Sequence, residues 1–165
     1  TWAVRREVFV MREYAVSFFG HRRIDNASAV EKQLETIVCD LLTCQGYITF
    51  FVGRDGDFDL LAASVIHRCQ RQIRSDNSAL VWVMPYVTAD YQANEIVYQS
   101  YYHEIEVSAA AQQVHFKRAY QARNQEMVDR SDLCLFCIQH DHGGAWKTMK
   151  YAQQIGVPYI LLGKL

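Results

Sequence analysis

Three short segments combine glycine with charged or imidazole side chains in a way suited to holding an anion. They are Gly20-His21-Arg22-Arg23, the stretch from Gly53 through Arg54, Asp55, Gly56 and Asp57 to Asp59, and His140-Asp141-His142-Gly143-Gly144. Glycine lets main-chain N–H groups come close to a bound group, and a helix opening just beyond such a loop favours negative charge at its first turn. Arg22 supplies a guanidinium able to bind phosphate through paired donors. Asp55 and Asp57 would repel an unaccompanied phosphate, which favours a guest carrying ribose hydroxyls or a bound cation. Asp59 is read either as a cap of the following helix or as a ligand contact. His21, His140 and His142 invite a metal reading, but no further dedicated ligand cluster accompanies them, so no metal is expected.

These segments need strands before them and helices after them, and the apolar pattern supplies both. Residues 14–19, 47–52, 79–84, 132–138 and 158–162 read as short buried strands, and 104–107 as a candidate further one. Between them lie helical stretches. The first begins at Ser28, with Glu31 three positions on as a capping box, and carries a stripe of Val30, Leu34, Ile37, Val38, Leu41 and Leu42 up to Gly46. Others cover 58–74, 89–100, 109–128 and the stretch from Gly143-Gly144 to about Gln154. The alternation predicts an α/β fold, a Rossmann-like three-layer sandwich whose central sheet is mostly parallel with about five strands. In such sheets the ligand crevice lies beyond the carboxyl ends of the strands.

Length and composition fit this frame. The chain has 165 residues, half of them apolar, 13% aromatic and 21% charged, enough for one domain with a full core. Residues 1–13 are read as an N-terminal appendage and 14–165 as the single domain. The formal net charge of −1 argues against a strongly basic surface, so nucleic acid is not expected as a partner. No apolar run reaches the length of a membrane span. The cysteines are odd in number, five, and are read as reduced thiols of a cytoplasmic protein. Cys134 and Cys137 have Cys-x-x-Cys spacing inside an apolar strand. Their odd offset sends them to opposite faces of the sheet, as core residues. Tyr98, Tyr101 and Tyr102 are read as packing residues or a subunit interface in preference to a base-stacking platform. A homodimer or larger homo-oligomer through Tyr101, Tyr102, Val107 and Phe116 is a further expectation.

Taken together and in order, several stretches resemble the SLOG superfamily of Rossmann-like proteins, in its DUF1273/YpsA-like branch, a group related to DprA and the LOG phosphoribohydrolases. They are Phe18-Phe19-Gly20-His21-Arg22, the run from Gly46 to Gly53, and Phe58-Asp59-Leu60-Leu61-Ala62-Ala63. Arg123-Asn124-Gln125-Glu126-Met127-Val128-Asp129 and Ser131-Asp132 follow, then Gly143-Gly144-Ala145-Trp146-Lys147-Thr148 and Tyr151-Ala152. The resemblance implies a nucleotide-derived ligand surrounded by the glycine loops and the Gly-Gly segment. It also implies that Arg123, with Asn124 beside it, matches the arginine of the Arg-Asn motif. Two departures matter. Arg54 and Asp55 replace a glycine and a small residue of the second loop. The glutamate that serves catalysis in the phosphoribohydrolases falls at Lys150, and a lysine cannot stabilise positive charge developing on a sugar.

The leading expectation is therefore binding or sensing of a phosphorylated nucleotide or nucleotide-derived ligand, such as ADP-ribose, an NAD-like dinucleotide or a nucleotide signal. The expected binding residues are Gly20, His21, Arg22, Gly53, Arg54, Asp55, Gly56, Asp59, Arg123, Asn124, His142, Gly143, Gly144, Ala145 and Thr148. Two alternatives stay open. One is a hydrolase of an N-glycosidic or phosphate bond using Asp57, Asp59, Arg123 and Glu126. The other is sequestration of a nucleotide immune signal.

Overall fold

The computed structural model describes residues 13–163, so the expected appendage lies almost wholly outside the described residues. Six strands form one sheet: β1 (Glu13–Gly20), β2 (Tyr47–Val52), β3 (Ser78–Met84), β4 (Glu104–Val107), β5 (Leu133–Cys137) and β6 (Tyr159–Leu162). Their order is β4-β3-β2-β1-β5-β6 and every pairing is parallel. The expected α/β class and Rossmann-like layering hold. The strand count is one higher because 104–107 joins the edge beside β3.

Parallel strands need crossovers, and helices α1 (Ala27–Cys44), α2 (Asp57–Gln72), α6 (Ala119–Asp129) and α7 (Gly144–Ile155) provide the long ones. Side chains alternate along each strand, so the sheet has two apolar faces. Val16, Phe18, Ile48, Phe50 and Leu80 pack with Val30, Leu34 and Val38 of α1 and with Phe58 and Ile66 of α2. Phe19, Phe51, Val81 and Phe136 pack with Met127 of α6 and Met149 of α7. Cys137 belongs to the first cluster and Cys134 to the second, on opposite faces as their spacing requires.

Local chemistry departs from the sequence reading in three places. The capping box at Ser28 is not formed: α1 starts one residue earlier, its N-cap is Asn26 in the left-handed region (φ 55°), and no side chain caps it. Asparagine tolerates that conformation, which lets the chain enter the helix sharply. The helix expected at 89–100 breaks at Asn94 into α3 (Ala89–Ala93) and α4 (Glu95–Tyr101), with the Asn94 side chain bonded back to Asp90. The stretch 109–128 divides into α5 (Ala109–Gln112), a 3₁₀ turn (Phe116–Arg118) and α6. Ser108 accepts from the Ala111 amide and His115 from the Lys117 amide, so two side-chain caps restart the helix within one segment.

Two glycines let the first two loops lie on one another. A methyl group on Gly20 would sit 2.3 Å from Cγ of Phe58, and one on Gly56 would sit 2.3 Å from Cα of Arg22. The amide of Asp57, at the start of α2, donates to the Arg22 carbonyl at 2.8 Å. The end of β1 and the start of α2 are thus in backbone contact. Gly20→Ala should force Phe58 out of its site and cost about 1–3 kcal/mol, read as a lower urea midpoint with an unchanged slope.

Candidate functional site

The order of the strands locates the crevice. From β1 the chain steps outward through β2, β3 and β4, then crosses to the other side of β1 to lay down β5 and β6. Between β1 and β5 the direction of winding reverses, and the loops leaving their carboxyl ends diverge to opposite faces. Such a switch point opens a cleft. A cavity of about 550 Å³ occupies it, large enough for a small-molecule ligand.

All three glycine segments reach this cavity. Gly20, His21, Arg22 and Arg23 line it from the β1 end, Gly53, Asp55 and Asp59 from the β2 end, and His140, Gly143, Gly144 and Ala145 from the β5 end. The first and third are tied together: the Asp25 amide donates to Gln139 Oε1 and Gln139 Nε2 donates to the Asp25 carbonyl, both at 2.7 Å. Gly143 has φ +91° and α7 opens with no side-chain cap. Nothing stands within 4 Å of where a Gly144 side chain would be. Gly144 and Ala145, the first two residues of α7, line the cavity, so the positive end of the helix dipole lies at its edge.

The floor carries a buried cluster of charges. Arg123 is 4% exposed and all three guanidinium nitrogens are engaged. Nε donates to Asn124 Oδ1 at 3.0 Å, Nη1 to the Val83 carbonyl at 3.1 Å, and Nη2 to Asp55 Oδ2 at 2.7 Å. Asn124 in turn donates to Thr148 Oγ1 at 3.1 Å, and Thr148 donates to the Gly144 carbonyl at 2.8 Å. This chain fixes α6, the cavity floor and the start of α7 relative to one another. Asp59 is buried and accepts from the Asp55 amide at 2.9 Å. It therefore braces the loop before α2 and does not cap the helix. Burial pushes its carboxyl up to about 6, against the bond from Asp55 and the nearby Arg123. A side chain at Gly53 would meet Asp55, Asp59 and Arg123 all at 3.0–3.1 Å.

Several expected site residues lie elsewhere. Arg54 turns away, bonded to the Tyr102 hydroxyl at 3.2 Å and stacked over Tyr98. Gly56 serves the contact with Arg22. Thr148 supports the floor from behind. His142 is exposed and stacks on His140 at 3.9 Å without lining the cavity. Among the other catalytic candidates, Asp57 is exposed at the start of α2, and Glu126 Oε1 accepts from the Ala110 amide; neither lines the cavity. Lys150 stands outside it on α7, over the Trp146 ring. Tyr98 and Tyr102 are buried against Trp82, which is the packing reading. No group of three or more histidine, cysteine, aspartate or glutamate side chains is placed to hold a metal among the described residues. Arg23 and His140, placed by the sequence in the anion-holding loops but not among the expected binding residues, line the cavity, and so does Tyr120, which the sequence reading missed. Tyr120 lies three residues before Arg123, on the same helical face, a spacing that could have revealed it.

Fold and cleft together define a Rossmann-like α/β domain with its crevice at the sheet's switch point. Among solved structures, DNA processing protein A of Helicobacter pylori, described for its single-stranded DNA binding mode, superposes with a TM-score of 0.62 at 13% identity, covering 92% of this chain and 66% of that one. DNA processing protein A (DprA) of Streptococcus pneumoniae superposes with a TM-score of 0.61 at 16% identity, covering 90% and 50%. The chain thus spans between half and just under two thirds of these proteins, and the shared property is the fold. No family model and no curated protein matches the sequence. The likeness corrects one expectation. A DprA-type fold is found in a protein that binds single-stranded DNA, so a near-zero net charge does not set nucleic acid aside. Net charge sums over the whole surface, whereas Arg22 and Arg23 concentrate positive charge at one rim of the cleft. Among the described residues no helix is long and apolar enough to cross a membrane.

Asp59 yields a stability prediction. Its folded carboxyl titrates near 6, above the 3.8 of a free side chain. The folded state therefore holds the proton more tightly than the unfolded one. The stabilisation this gives is complete below about pH 4 and is lost as pH rises through about 6. Asp59→Asn should be nearly neutral at pH 3.5 and gain on the order of 2–3 kcal/mol over the parent at pH 7.5, measured by denaturant unfolding at both values. An equal difference at both pH values would contradict the assignment.

Proposed function

We propose that this chain binds the phosphate-bearing part of a nucleotide or nucleotide-derived ligand in the β1–β5 crevice, as a member of the SLOG superfamily in its DUF1273/YpsA-like branch. The single observation that carries the reading is the meeting of three glycine loops and the uncapped N-terminus of α7 around one cavity, with Arg22 and Arg123 both on its wall. Amides at α7 offer donors to phosphate oxygens, and exposed Arg22 and Arg23 offer charge-assisted bonds. The half-buried Tyr120 ring gives a flat apolar wall suited to a base or ribose. Candidate guests are ADP-ribose, an NAD-like dinucleotide or a nucleotide signal. A nucleotide unit of single-stranded DNA presents the same phosphate, sugar and base, and the fold shared with the Helicobacter pylori protein favours testing it beside the free ligands.

Hydrolysis is a second reading, favoured by Asp59, a buried carboxyl titrating near 6 on the cavity wall. A carboxyl in that range can hold or release a proton near neutral pH. Incubation with NAD and nucleoside monophosphates followed by chromatography separates turnover from binding, and unchanged substrate dismisses hydrolysis.

Thermal unfolding with ADP-ribose, NAD, AMP and cyclic nucleotides, and fluorescence anisotropy with an oligothymidylate, tests the binding reading. A ligand at 100 times its Kd should add about 2.7 kcal/mol of stability. Arg22→Ala should weaken binding of that ligand about 10- to 100-fold, the loss of one charge-assisted contact. Absence of any effect up to millimolar ligand and micromolar oligonucleotide rejects the reading.

A further inference from the structure

The crevice holds a stacked pair of histidines, His21 of the expected binding residues and His140, whose contact with each other the nucleotide reading does not use. His21, from the loop after β1, and His140, from the loop after β5, stack face to face with ring centroids 3.5 Å apart. Both line the cavity. His21 is 6% exposed, and its Nε2 is buried with no hydrogen-bond partner. A methyl group on Gly143 would lie 3.9 Å from both His21 Nδ1 and His140 Cε1. The two imidazoles therefore share their space with the uncapped start of α7.

We infer that anion binding in this crevice takes up one proton onto the His21–His140 pair, so that the guest is held more tightly in acid than at neutral pH. This rests on the phosphate-binding reading and adds its regulation. Two cations at stacking distance repel strongly, so the pair carries at most one proton. Without a guest, burial and the neighbouring His140 and His142 imidazoles hold His21 below the usual histidine range, against the hydrogen bond it makes to the His140 backbone. An anion at the α7 amides supplies the opposite charge that an imidazolium needs. The proton comes from solvent on binding and returns on release.

The groups facing the pair have defined signs. Arg22 and Arg23 adjoin His21, disfavour the proton in the empty site and are countered by the bound anion. His142 stacks on His140, and Asp141 Oδ1 lies 3.8 Å from His142 Nδ1, both exposed. Across the cavity stand Arg123, paired with Asp55, together with Asp59 and Tyr120. Lys147 and Lys150 on α7 do not line the cavity.

Sulfate serves as the probe because its charge is constant between pH 5 and 8. Its saturable binding is followed by NMR of the imidazole carbon-bound protons of the whole protein at pH 5.5, 6.5 and 7.5, with ionic strength held fixed. The expected result is at least tenfold tighter binding at pH 5.5 than at pH 7.5, with the His21 and His140 signals moving on saturation. His140→Asn, at an exposed position, should flatten the pH dependence, while His142→Asn should leave it in place; His21→Asn repeats the test from the buried side. Equal affinity at all three pH values, an undiminished slope in His140→Asn, or no saturable sulfate binding at pH 5.5 overturns the inference. A nucleotide bound equally well at pH 5.5 and 7.5 leaves the binding reading standing and removes the proton coupling. Sulfate binding with the expected slope but no nucleotide binding does the reverse.

Discussion

The cleft depends on the backbone contact between the end of β1 and the start of α2. Gly20 lies against the Phe58 ring and Gly56 against the Arg22 backbone, at separations no side chain would allow. The Asp57 amide is bound to the Arg22 carbonyl, so the N-terminus of α2 is partly occupied by the protein itself. The first turn of α7 also lacks a side-chain cap, and its Gly144 and Ala145 line the cavity. The consequence is a site with two unlike walls, an open dipole end at β5 and a closed, loop-packed wall at β2.

Electrostatics within the floor follow from this packing. Arg123 is buried, and a buried cation needs partners for its charge and its donors. Asp55 neutralises it, while Asn124 and the Val83 carbonyl take the remaining donors. Asp55 in this role answers the worry that a carboxylate in the second loop would repel phosphate, since its charge is spent on Arg123. Asp59 is the unbalanced member, buried without a cation of its own, and its raised titration follows. Arg22 and Arg23 remain at the rim with their charge exposed, so positive potential is concentrated at the mouth while the floor is nearly neutral.

A whole-chain charge near zero therefore says little about what this cleft can hold. The binding potential of a cleft is set by the few groups at its mouth and by low-dielectric walls that focus their field. Surface acids on distant helices cancel those groups in the sum without cancelling them in the cleft.

Apolar periodicity by itself determined the strands β1, β2, β3, β5 and β6, the stripe of α1, and the opposite placement of Cys134 and Cys137, because burial on both faces of a parallel sheet leaves a strong local pattern. The glycine loops were equally legible, since close approach and helix entry restrict residue type. The breaks at Asn94 and His115 were not, because one or two side-chain to backbone bonds decide them and the surrounding composition stays helical. Nor could sequence tell that Arg54 turns to Tyr102 while Arg123, about seventy positions away, joins Asp55 beneath Gly53. Which arginine faces the cleft, and which histidines stack above it, depends on where separate strand ends meet. Only the packed sheet decides that, because the competing orientations of a long side chain are nearly equal in energy until neighbours from elsewhere in the chain exclude all but one.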